Sequence, residues 1–124
     1  MKKLLWIATL TLVTLPAAAL AQAEPVRVDR DVDCPWNNDR DTYCEHREFV
    51  LSAHARLDVD AGSNGGIEVT GWDRDEVQLI ARIQAWSRDG DAEGVADGIE
   101  IRTGERIEAR GERSRSREGW AVSF

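Results

Sequence analysis

The sequence predicts a mostly β fold, built of short antiparallel or sandwich-like strands with one short helix, and three observations carry that reading. Apolar residues recur at every second position through residues 57–61, 67–71 and 77–85, which sets them on one face of an extended chain. Turn-forming residues break these runs at Ser63-Asn64-Gly65-Gly66 and Trp72-Asp73-Arg74-Asp75. Helical spacing is confined to Ala92, Val95, Ala96 and Ile99, which follow Asp91, a residue suited to capping a helix.

In chain order, residues 1–23 read as a signal peptide: Lys2 and Lys3 precede an apolar run over residues 4–15, and Ala21-Gln22-Ala23 is a small-x-small cleavage site. The run is shorter than the ~20 residues a membrane-crossing helix needs. The expectation is an exported protein, periplasmic or extracellular, with no membrane span after cleavage. Residues 24–124 then form a single domain with one modest core. They hold all 23 acids and no lysine, so losing Lys2 and Lys3 moves the formal charge from −7 to −9. Such a balance argues against general nucleic-acid binding, which needs cations to displace phosphate counterions, and against anionic lipid surfaces.

Val26, Val28 and Val32 alternate with charged residues as a thin lead-in, suited to an edge strand. Cys34 and Cys44 flank a turn-rich interval, and two cysteines in an exported chain pair. Residues 45–53 resume a strand through Phe49 and Leu51. The Asn64-Gly65 dipeptide predicts a hairpin turn, because both residues tolerate positive φ. Ile67, Val69, Val77, Leu79 and Ile83 form the expected core face, with Glu68, Gln78 and Arg82 turned away. After the short helix, Ile99 with Ile101, Ile107 with Ala109, and Trp120, Val122 and Phe124 mark three further strands. The last has no charge, Pro or Gly between Trp120 and Phe124, so it reads as an unprotected edge through which chains self-associate.

Candidate sites are few. Residues 89–100 place acids at the first, third, fifth, ninth and twelfth positions of a calcium loop, with Gly94 at the sixth. The ligands would include Asp89, Asp91, Glu93 and Glu100. Glu at the fifth position, Ala96 at the eighth and strand-like flanks argue against it, so no metal or cofactor is expected. Trp72 and Trp86 are the candidate binding aromatics, since exposed rings stack on sugars, although packing is the simpler and favoured explanation of a tryptophan in a small domain. Nucleophile-elbow and phosphate-loop motifs are lacking. His46 and His54 read as surface residues.

The strings CEHREFVL, LDVD, NGGIEVTGWDRDEVQLIARIQAW and WAVSF together resemble an adhesin-type family of bacterial envelope proteins, a β-rich domain of unknown function. The resemblance covers residues 44–124, and its most specific part is 64–77. It implies a signal peptide, a cysteine before the first strand, a Gly-Gly-Ile strand start and a Gly-Trp-Asp turn. Family members continue past the W-x-V-x-F strand into short repeated strands stacked as a parallel solenoid. This chain therefore resembles the first lobe of such a domain, truncated at its carboxyl end. The resemblance supplies no catalytic residues. The function it implies is a non-enzymatic envelope or extracellular module that binds glycan or protein. The alternatives are a structural β fragment with no ligand, and an acid-rich hydrolase whose two carboxylates would stand about 5–10 Å apart.

Overall fold

In this computed structural model, residues 23–35, 41–53, 56–112 and 117–124 are described. The signal-peptide run, Trp36, His54 and residues 113–116 lie outside them. In chain order the elements are β1 (Arg27–Asp29), β2 (Asp41–Ser52), β3 (Val59–Asp60), β4 (Glu76–Ser87), α1 (Ala92–Asp97), β5 (Glu100–Arg102), β6 (Ile107–Arg110) and β7 (Glu118–Ser123).

The mostly β reading holds. β2 and β4 pair antiparallel along their whole length, from Asp41 opposite Ser87 to Ser52 opposite Glu76. They are the centre of a four-stranded antiparallel sheet in the order β1-β2-β4-β7. Period-two patterning does its work here: Leu79, Ala81, Ile83, Ala85 and Ser87 are buried, while Gln78 and Arg82 are exposed. Burying a leucine or isoleucine side chain contributes about 1.5–3 kcal/mol, so this face supplies much of the stability. The second sheet has the order β3-β6-β5 and is mixed: β5 and β6 are antiparallel, whereas β3 runs parallel to β6.

Helix α1 lies on the inner face of the larger sheet through the buried alanines Ala92 and Ala96, whose small side chains permit a close approach. Ile99, Ile101 and Ile107 join Tyr43, Phe49, Leu79, Ile83, Val122 and Phe124 in one apolar cluster. One buried ion pair sits among them. Arg47 donates from Nη2 to Glu45 Oε1 (2.7 Å) and to the Ala96 carbonyl (3.1 Å), and from Nη1 to the Ile99 carbonyl (2.6 Å). It thereby fastens the C-terminal end of α1 to β2, satisfying carbonyls the helix leaves open. Glu45, 1 % exposed, depends on this partner, because removing one member of a buried pair is strongly destabilising.

Three expectations are corrected. The stretch through Ile67, Val69 and Gly71 is not a strand, and Ile67 and Val69 are 50 % and 84 % exposed, outside the core. Asn64-Gly65 does not close a hairpin: neither residue has positive φ, and Gly62 takes the left-handed position instead, at +70°. Gly65 is required for a different reason. A Cβ there would be driven into the Val122 and Ala61 carbonyl oxygens, so only glycine lets this connection press against β7. That contact also changes the outer edge of β7. Phe124 N–H donates to the Gly66 carbonyl (2.9 Å), and Glu68 N–H donates to the Phe124 carbonyl (2.7 Å), which is the pattern of a single parallel pairing. The edge expected to be bare is covered at its last residue.

A gap remains elsewhere in the same sheet. Arg88 N–H donates to the Arg117 carbonyl, so even-numbered residues of β4 direct their backbone groups towards β7. β7 accompanies only Arg82 to Ser87. On that side Gln78 and Ile80 have no backbone partner among the described residues, and the Trp72 indole N–H covers the Glu76 carbonyl (2.8 Å).

Candidate functional site

The side chains with unexplained chemistry gather around the start of α1. Two clefts meet there, each of about 410 Å³, and Asp91 lines both. The first lies between α1 and β7, walled by Val95, Glu118 and Trp120. The second lies between α1, the beginning of β2 and residues 30–31, walled by Asp31, Asp41, Tyr43 and Glu93. The result is an acidic groove with an aromatic residue at each end.

Local structure explains each placement. The Cys34–Cys44 disulfide forms as expected, with Cα atoms 5.4 Å apart, and contributes about 2.5–3 kcal/mol in the chain-entropy view. Together with the Val32 N–H bonded to the Cys44 carbonyl (3.0 Å), it clamps residues 31–33 against β2. Asp31 turns the chain there at φ +53°, a left-handed conformation that aspartate tolerates better than most residues. Asp41 accepts the Ala92 N–H on Oδ2 (2.9 Å), capping α1 from another element, while Asp91 at the N-cap makes no side-chain cap bond. Gly94 leaves room for the Asp91 carboxylate, which any Cβ at that position would meet. Trp120 is fixed by its indole N–H bonded to the Glu112 carbonyl (2.7 Å) and by Gly111 packed against its ring.

Many acids outside this groove pair with an arginine two residues away: Arg27 with Asp29, Arg56 with Asp58, Arg74 with Glu76, Arg110 with Glu108. Asp31, Asp41, Asp91, Glu93 and Glu118 take part in no ion pair among the described residues. Arg30, at the rim, is directed to Asp97 at 3.6 Å. Tyr43 is 6 % exposed and, among the described residues, its hydroxyl has no hydrogen-bond partner. Burial pushes its pKa upward, and the neighbouring Glu45 carboxylate adds to the shift.

The candidates named from the sequence fall elsewhere. Trp72 is 46 % exposed, but its N–H is held by the Glu76 carbonyl and the Arg74 guanidinium stands 5.2 Å from its ring centroid. Trp86 lies across Gly119, where a Cβ would meet its ring. Of the calcium-loop set, Asp89 pairs with Arg117 (2.8 Å), Glu100 pairs with Arg102 (3.7 Å), and only Asp91 and Glu93 reach the groove. Helix α1 occupies the middle of that loop. Among the described residues no three potential ligands are placed to hold a metal ion together. Glu118, Trp120, Asp31, Asp41 and Tyr43 escaped the sequence reading as a set with Asp91 and Glu93, because together they come from three distant parts of the chain. No protein-family model, curated protein or solved structure matches the chain.

Proposed function

We propose that the protein is an exported, non-enzymatic binding module of adhesin type, and that it holds a protein partner through basic side chains laid in the acidic groove. The observation that carries this reading is the grouping of five carboxylates, none in an ion pair among the described residues, along two adjoining clefts. Carboxylates grouped beside two aromatic rings suit a cation, since rings add attraction from their faces. A protein is favoured over a glycan because the exposed ring expected to stack on sugar, Trp72, already carries Arg74. The disulfide and the signal-peptide pattern support export.

Calorimetric titration with an oligolysine peptide and with neutral oligosaccharides tests the reading. Peptide binding that weakens with salt is expected, as exposed charges are screened. Replacing Asp91 by Asn together with Glu118 by Gln should weaken it roughly two- to thirtyfold, from two partly exposed charge contacts. Binding to oligosaccharide but not to the peptide would overturn it.

A further inference from the structure

We infer that the cleft beside Tyr43 seats one lysine ammonium of that partner, held between the phenol oxygen and the carboxylates of Asp31, Asp41 and Glu93. The inference rests on the groove being a protein-binding site and goes further, to one side chain and one seat. Its starting point is the Tyr43 hydroxyl, one of two buried side-chain polar atoms without a hydrogen-bond partner among the described residues, the other being Arg102 Nε. Native structures rarely leave such a group unpaired without a functional reason. The Asp31 N–H is turned towards the phenol oxygen without closing a hydrogen bond.

The surroundings choose the ligand. The cleft that Tyr43 lines also takes acidic residues from three separate elements: Asp41 on β2, Glu93 on α1, and Asp31 in the disulfide-clamped loop. All are acceptors, so the missing group is a donor, and their charge makes it a cation. Acceptors arriving from several elements suit the rotating donors of an ammonium better than the flat fork of a guanidinium. Arg30 lines the same cleft, but its guanidinium stands 3.6 Å from Asp97 and pairs with none of the groove carboxylates. Residues 24–124 contain fourteen arginines and no lysine, so that part of a neighbouring copy cannot offer the ligand. A phenol kept protonated accepts through its lone pairs while carrying no charge, and so adds a contact without adding repulsion among the carboxylates.

Capped tripeptides Gly-Lys-Gly, Gly-Arg-Gly and Gly-norleucine-Gly, titrated by NMR into the oxidised full chain, provide the test, beside the oligolysine peptide. The lysine peptide should bind several-fold more tightly than the arginine peptide, and the norleucine peptide should not bind. Tyr43→Phe, which keeps the ring, should weaken the lysine peptide about ten- to 150-fold, the loss of one hydrogen bond to a charged group. The same variant should melt no lower than the parent, since it deletes an unsatisfied polar atom. Unchanged lysine affinity in Tyr43→Phe, a lower melting temperature, or arginine binding as well as lysine would each overturn the seat. Oligolysine binding that responds to Glu118→Gln but not to Tyr43→Phe would leave the groove standing and remove the ammonium seat. Failure of every basic peptide would remove both.

Discussion

Strand β4 and the connection through residues 61–75 carry the same period-two signature and end in opposite situations. In β4 the apolar set is sealed between β2, α1 and β7, so Leu79, Ala81, Ile83 and Ala85 are buried. In the connection, Val69 and Ile67 are exposed, and between residues 66 and 68 the chain makes two backbone bonds to Phe124. Alternation therefore states which residues share a face, and the neighbouring strand decides whether that face is covered. What fixes the connection is the absence of a side chain at Gly65, not the presence of apolar ones.

The largest effect expected is at the centre of the covered strand. Leu79→Ala should cost about 2–5 kcal/mol in urea unfolding, the range for a packed leucine truncated in a core. A loss below about 1 kcal/mol would break the contrast from its buried side. Gly65→Ala comes next, at about 1–3 kcal/mol, because the added methyl meets backbone oxygen that cannot rotate away. If this variant unfolds at the parent's urea midpoint, the close approach to β7 is not what holds the connection.

A smaller effect belongs to Tyr43, the chain's single tyrosine, and appears only at alkaline pH. Its pKa in the fold lies above the ordinary value of 10.0, so the folded state keeps the proton that the unfolded chain has lost. The stabilisation is complete below that ordinary value and disappears as pH rises through the folded one. Tyrosinate absorbance should accordingly appear at higher pH in folded than in urea-unfolded protein, and Tyr43→Phe should flatten the alkaline decline in melting temperature. Coincident absorbance titrations would contradict this. Smallest of all is Val69→Ala, expected within about 0.5 kcal/mol, since the side chain is 84 % exposed. A cost matching Leu79→Ala would mean the two regions do not differ.

Much of this architecture was legible. β2 and β4 announce themselves by long alternation, α1 by Ala92, Val95 and Ala96, and the disulfide by two cysteines in a chain patterned for export. The parallel pairing of β3 with β6 was not, because Val59 and Ile107 meet across 48 residues and local pattern carries no register between them. The groove left no readable trace: Asp31, Asp41, Asp91, Glu93 and Glu118 lack an arginine two positions away, but so do Asp33, Asp60, Glu68, Asp73, Asp75 and Asp97. The state of Tyr43 left none either, since a hydroxyl's lack of a partner depends on three elements meeting.

The half-accompanied edge of β4 should be visible in amide exchange. Val77 and Leu79 direct their N–H groups into the ladder with β2, whereas Gln78 and Ile80 direct theirs away from it, past the end of β7. Neighbouring amides on one continuous strand should thus exchange on separate timescales, slow and fast in alternation, until Arg82 brings both sides under protection. The strand opens as one cooperative unit only from Arg82 to Ser87; before that, every second amide reports water rather than the fold.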